Sequence, residues 1–463
     1  MSHSAIALVF AGASALALVL LVRGIREARS AGALDSSAAL TFAIGTLVLL
    51  PDVLVAATGT LQKRHDVFGD LVAIHPAWYS SVGQLTLLVL AGLAAALFVW
   101  RVGAGRAQAH AAGLIAILLC ALAIAGGNLH GGSLIATRSG VLLVCLLAAT
   151  VLPRGRGSSL GAGAFAVLLA ATGGLLSLFR YDVAFVVPCE GACSGLGFQG
   201  VLPNENLLGI ILAAAIPLTY LGFTGRTRLA LVLYLAGMAI ATGSRTSAAA
   251  SIVAVVALAV VRPRLDEARA SLARTATAWT VLIGSAAAAM YVVQHEWPQT
   301  SLTTRPALWR VAWDYIGESP WFGYGPWRWE SLAQSSEIPM AAQRSTHNQW
   351  TDVLFVAGGV GAVVLVCVAI AAIWSAGRAR NGVLLVLSTI GMLGVAEGVW
   401  SVGRLDLMSF SLVAVILIGE TAPGLRRSLA PREVGTEHLV PVRAAQPQHA
   451  LAAADAHGVR PPG

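Results

Sequence analysis

Apolar residues run through this chain in long blocks, and polar positions fall between the blocks. A helix that crosses a bilayer needs roughly 20 apolar residues at about 1.5 Å of rise each. Such runs begin near residues 4, 36, 78, 109, 133, 160, 205, 229, 247, 275, 349, 382 and 406. The pattern predicts an all-α fold, a polytopic membrane helix bundle of about 12–13 spans over residues 1–422. One long polar interruption, residues 294–346, is expected to carry short amphipathic helices. The first run is followed by Arg23, Arg26 and Arg29 and has no positive segment before it, so it reads as a span rather than a cleaved signal. Residues 423–463, rich in Pro, Ala, Arg and His, have no apolar periodicity and are expected to form a disordered cytoplasmic tail.

Composition narrows the class. The chain is 57% hydrophobic and 11% charged, against roughly 25% charged in an ordinary soluble domain. That excludes a soluble enzyme with a membrane tag. The net charge of +8 would often suggest nucleic acid. Here the cations sit one to four at a time between apolar runs, so their expected role is orientation, with no nucleic-acid partner. Twenty of the 30 Lys and Arg lie in one alternating set of connections: 23–35, 101–108, 153–159, 222–228, 262–274, 375–381 and the tail. The other set holds ten, although it includes the longest loop. The first set is therefore expected in the cytoplasm, which puts the N-terminus and the 294–346 loop outside the plasma (inner) membrane.

Cysteine decides little. Cys120, Cys145 and Cys367 lie within apolar runs, whereas Cys189 and Cys193 share one polar loop where a short disulfide and two free thiols are both open. No Cys/His spacing suggests a zinc site.

The outer loop is aromatic. Seven of the 12 Trp fall between Trp297 and Trp350. In P-A-L-W-R-V-A-W-D-Y-I-G, helical spacing puts Trp309, Trp313 and Ile316 on one face and Arg310 and Asp314 on another. Such a helix is expected to lie in the headgroup region. Its rings either anchor the loop or line a site for sugars and a lipid tail.

Three runs that start on the outer side begin with polar residues: P-N-E-N-L-L-G with Asn204 and Asn206, T-G-S-R-T-S with Ser244 and Arg245, and R-S-T-H-N-Q-W with Arg344, His347 and Asn348. Helix starts favour anions through free N–H groups and the dipole. Capping explains Asn, Ser and Thr there; it does not explain the arginines beside the caps. Three such starts converging with Arg245, Arg305, Arg310 and Arg344 would bind a phosphate-bearing ligand at the outer leaflet. His347 stands out among the histidines, since a helix start disfavours added positive charge and leaves its imidazole able to accept a proton. Asp52, Glu397, Arg404 and Asp406 are membrane-depth polars. Glu397 and Arg404 are candidates for the outer pocket, and an internal ion pair is an equal alternative.

These pieces resemble the O-antigen ligase and O-antigen polymerase superfamily. His347-Asn348, nine residues, then Gly358-Gly-Val-Gly361 is similar to its His-Asn…Gly-x-x-Gly motif. P-N-E-N-L-L-G and T-G-S-R-T-S resemble its Asn-rich helix start and Ser-Arg signature. R-P-A-L-W-R with S-P-W-F-G-Y-G-P-W resembles the start and continuation of its outer loop. The four occur in the family's order over residues 200–375; elsewhere only hydropathy is shared. The resemblance implies extracytoplasmic transfer of an oligo- or polysaccharide from a polyprenyl-diphosphate carrier to an acceptor hydroxyl on a glycan, lipid or protein. It implies Arg245 and Arg305 on the diphosphate and His347 as general base. Asn204, Asn206, Ser244, Trp309, Trp313, Arg310, Arg344 and Asn348 are expected to bind substrate.

No Asp-x-Asp pair is present, and Asp314, Glu318, Glu330 and Glu337 are scattered. A metal-independent membrane glycosyltransferase without a cofactor is therefore expected, with arginine neutralising the diphosphate. The family often has about twelve spans with both ends in the cytoplasm, whereas thirteen runs are counted here. A repeat-unit polymerase shares these motifs. A lipid-glycan flippase, the rival from another class, would place its polar residues near the midplane and show internal repeats.

Overall fold

A computed structural model describes residues 3–60, 62–65, 71–130, 137–186, 196–263, 271–298 and 305–419. Each of the thirteen apolar runs is helical: α1 (His3–Ser30), α2 (Ser36–Thr58), α3 (Trp78–Gly103), α4 (Ala111–Leu129), α5 (Thr137–Val151), α6 (Gly157–Leu176), α8 (Glu205–Gly222), α9 (Gly225–Ala241), α10 (Arg245–Val261), α11 (Leu272–Gln294), α14 (Gln349–Ser375), α15 (Arg380–Gly394) and α16 (Ser409–Leu417). A single turn, α7 (Tyr181–Ala184), follows α6; α12 (Arg305–Glu318) and α13 (Arg328–Gln334) lie in the long loop. A small antiparallel hairpin, β1 (Gln62–His65) and β2 (Leu71–Ile74), joins α2 to α3. Cys189, Cys193 and the tail fall outside the described residues.

Eight of these helices are long and apolar enough to cross a membrane. Among the described residues the other five runs, α5, α9, α10, α15 and α16, form shorter helices. The last is the shortest, at nine residues. It is preceded by the irregular segment 395–408, whose Val399, Trp400, Val402 and Leu405 are buried. Non-helical backbone at membrane depth survives only where protein covers it.

Helices α6 and α8 form the centre and are buried on nearly all sides, whereas α3 and α11 expose most of their surface. Small residues allow the close approach. A Cβ on Gly161 would stand 2.2 Å from the carbonyl oxygen of Ala38 in α2.

The connections sort into two ends in the alternation read from the charges. At one end Arg154 donates to the carbonyls of Ser375 and Ile418, Arg156 to Gly222, and Thr275 to the side chain of Asn381. At the other end the Leu405 amide donates to the Arg138 carbonyl and the Phe198 amide to that of Ala241.

The buried residues Trp309, Ala312 and Ile316 turn the apolar face of α12 toward protein, and α12 packs on α14. Periodicity shows that a face is apolar but not what covers it. Beyond α12 the chain plugs a break in α14, where Gly358 has φ 64 and ψ −168. The break frees backbone groups, and the loop satisfies them. Tyr324 and Gly325 amides donate to the carbonyls of Phe355 and Val356, while Gly359 and Val360 amides donate to Pro320 and Trp321. A side chain at Gly358 would collide with the Trp321 backbone at 2.2 Å. The Gly-x-x-Gly and S-P-W-F-G-Y-G-P-W stretches are therefore two halves of one contact.

Candidate functional site

The site is built around the start of α14. Asn348 is the N-cap, and its Oδ1 accepts from the amides of Trp350 and Thr351. Its Nδ2 donates at 3.0 Å to the carbonyls of Ala289 in α11 and Val395 beyond α15. The residue is fully buried. These bonds occupy the amide's donors and acceptor, so Asn348 holds three segments together and has no group left for a ligand.

Gln349 does similar work. Its Oε1 accepts from the Val399 and Trp400 amides at 2.8 Å, and its Nε2 donates to the Trp400 carbonyl. Asp352 accepts from the Thr346 amide at 2.8 Å. The corner at residues 344–352 and the segment 395–400 are thereby clamped as one unit.

Two side chains emerge from that unit. His347 stands just before the cap, outside the helix, with φ 59. A non-glycine residue in this left-handed region costs on the order of 1 kcal/mol and persists only where surroundings enforce it. Here the Ser345 hydroxyl accepts from the His347 amide, and the ring Nδ1 lies 3.0 Å from Glu397 Oε2. The other oxygen of Glu397 accepts from Arg305 Nη2 at 2.5 Å. Glu397 is thus a bridge between the first residue of α12 and the histidine. Its side chain is 6% exposed, while that of His347 keeps 27%.

With Arg305 on one oxygen of Glu397, the other oxygen is placed to accept from His347 Nδ1, and in the tautomer that donates there Nε2 is the ring's acceptor. The carboxylate, more than the helix start, sets the ring. Sequence reading placed Glu397 only among possible pocket residues. It lies 50 residues from His347 on a segment with no periodicity. The usable signal was an acid at membrane depth beside Gly394 and Gly398.

Arg404 closes the loop over this corner. It donates to Glu330 at 3.1 Å and to the Arg344 carbonyl at 2.6 Å, and stacks 5.5 Å over the Trp327 ring.

The starts of α8 and α10 meet: a Cβ on Gly209 would stand 2.6 Å from the Ser247 hydroxyl. Asn204 spends its Oδ1 on the Asn206 and Leu207 amides, and Ser244 caps α10 through Ser247. Asn206 is half-buried, and Arg245 is exposed without an ion pair or hydrogen bond among the described residues. No bond joins Arg245 to Arg305, Glu397 or His347. Arg310 and Arg344 are exposed, and Trp313 is half-buried. Trp309 is 2% exposed, and its indole N–H is buried without a partner. No group of three His, Cys, Asp or Glu side chains is arranged to hold a metal among the described residues.

Eight helices long and apolar enough to cross a bilayer, among the described residues, define a multi-pass membrane protein. Residues 230–366 match the O-antigen ligase family. Over that stretch, under a third of the chain, the resemblance read from the motifs holds, and it carries a ligase-type glycan-transfer function in general terms. The matched stretch includes Arg245, Arg305, His347 and Gly358 but stops short of Glu397. No curated protein matches the chain.

Proposed function

We propose that the protein transfers a glycan from a polyprenyl-diphosphate carrier to an acceptor hydroxyl at the extracytoplasmic face of the inner membrane. The acceptor O–H gives its proton to Nε2 of His347 as its oxygen attacks the anomeric carbon. The bond from that carbon to the phosphate oxygen breaks, and polyprenyl diphosphate leaves with the electron pair. A single displacement without a protein nucleophile inverts the sugar carbon.

Arg305 uses one nitrogen on Glu397; its other N–H groups are available to the leaving diphosphate, as is the unpaired, exposed Arg245. Guanidinium bonds to phosphate strengthen as the leaving group gains charge. Arginine rather than a divalent cation neutralises the diphosphate, so activity persists in EDTA. The observation that carries this reading is the Glu397 bridge, which holds a partly exposed imidazole by its Nδ1 beside a guanidinium. The sorting of cations to the opposite end of the bundle supports the extracytoplasmic face.

The test is reconstitution of the full chain in proteoliposomes with a polyprenyl-diphosphate oligosaccharide. Release of polyprenyl diphosphate and an inverted product are expected, both lost in His347→Ala. Transbilayer movement of the donor without bond cleavage would instead identify a flippase. Product size separates the two related activities: one addition per acceptor for a ligase, a ladder for a polymerase.

A further inference from the structure

One surface of the long loop has no part in the reaction above. Among the described residues of that loop, the exposed large apolar side chains are Trp321, 67% exposed, and Phe322, 46% exposed. They are neighbours, at the tip that plugs the break in α14. The outward face of α12, by contrast, carries Arg310, Asp314 and Glu318.

Two helices fix the height of this tip, counted from their cation-rich ends at about 1.5 Å per residue. The Phe322 carbonyl oxygen is what a Cβ on Gly126 would meet first, and Gly126 lies about 22 Å along α4 from Ala111. Gly358, against the Trp321 backbone, lies about 26 Å along α14 from Ser375. Tilt only lowers these values, and the hydrocarbon core is about 30 Å thick. With those ends at the inner boundary, both rings stand inside the outer one. Below the tip, α4 and α14 pack on each other. Their exposed side chains, Leu114 and Leu118 on one and Val363, Val366 and Ile370 on the other, continue the apolar surface. Both helices are long and apolar enough to cross a membrane, so this surface faces lipid.

The backbone of the tip suits that depth, where polar groups must be paired within the protein. The carbonyls of Pro320 and Trp321 accept from Gly359 and Val360, and the Gly323, Tyr324 and Gly325 amides donate to Ser319, Phe355 and Val356. Proline at 320 has no N–H to satisfy.

We propose that the Trp321–Phe322 tip inserts among the acyl chains of the outer leaflet. The long loop is then anchored in lipid at this end and held by the Arg305–Glu397 bond at the other. The two anchors share a level. Asn348 bonds to Val395, about 22 Å from Arg380 at the start of α15, and to Ala289, about 26 Å along α11 from Leu272. The inference concerns the loop's contact with the membrane and does not rest on the reaction assigned to His347.

The test reads the surroundings of Trp321 in the full chain, labelled with fluorotryptophan and placed in phosphatidylcholine nanodiscs. Its fluorine signal is assigned by loss in Trp321→Phe. Exchange of light for heavy water is expected to leave that signal unshifted, whereas saturation of the lipid methylene protons attenuates it. Chain-deuterated lipid abolishes the attenuation. Phe322→Trp supplies a second probe with the same expected responses. His347→Ala, which stops transfer, leaves them intact. A full solvent shift would put the ring in water. Absence of both responses would mean that a second copy of the chain covers it, and either result overturns the proposal. The anchoring is read by trypsin cleavage of the loop in proteoliposomes, which Trp321→Gln/Phe322→Gln is expected to speed severalfold. An unchanged rate would mean that the inserted tip holds nothing, and the anchor would be abandoned.

Discussion

The starts of α10 and α14 look alike in sequence and differ in what holds them. Each has a polar N-cap next to a basic residue, Ser244 with Arg245 and Asn348 with His347. At α10 the cap bonds stay within four residues, and Arg245 reaches outward from the first turn. At α14 the cap amide reaches 59 residues back to Ala289 and 47 forward to Val395. The basic group beside it is fixed by Glu397. A local cap suits a side chain that follows a large, mobile diphosphate. A cap tied to distant segments suits a base whose proton acceptor must be held to within a fraction of an ångström.

That contrast can be broken by substitution. His347→Ala is expected to have the largest effect, lowering kcat by about 100- to 10,000-fold, the usual contribution of a general base. Donor binding should be little changed, since in the proposed reaction Arg245 and Arg305 hold the diphosphate. Glu397→Gln comes next. It removes the charge and leaves one acceptor oxygen where Arg305 and His347 each had one, and should lower kcat by roughly 10- to 100-fold, by analogy with loss of a carboxylate that orients a histidine. A rise in KM with unchanged kcat would mean that Glu397 shapes the binding surface instead.

Arg245→Ala should raise donor KM by about tenfold, with a loss that shrinks at high salt because the residue is exposed. An equal loss at all ionic strengths would place the guanidinium in a closed pocket. The smallest effect on chemistry, and the largest on stability, is expected for Asn348→Ala. It strands buried carbonyls and amides at about 1–3 kcal/mol each, so the protein should unfold at lower temperature in detergent. Ser244→Ala at the local cap should cost only about 1 kcal/mol.

Much of the fold was legible because hydrophobic runs are a local property. Every one of the thirteen runs is a helix, although apolar content alone did not tell full spans from the short helices whose ends are finished by irregular chain. The site was legible only in part. His347 and Arg305 were readable because a His-Asn start and an Arg-led helix are local patterns. Glu397 was readable only as an outer-pocket candidate, since its contact is with a partner 50 residues away and its segment has no period. Trp309 showed the same limit in reverse: the amphipathic face was real, but its cover is protein. The two glycine-rich motifs gained a physical reason only when Gly358 met Trp321.

Whether Glu397 acts through His347 is measured directly by a double-mutant cycle. Single-turnover release of polyprenyl diphosphate is compared for the wild type, His347→Ala, Glu397→Gln and the double variant. If the carboxylate serves the imidazole, the double variant is no slower than His347→Ala alone. Rate losses that multiply would show two independent contributions and contradict the arrangement described.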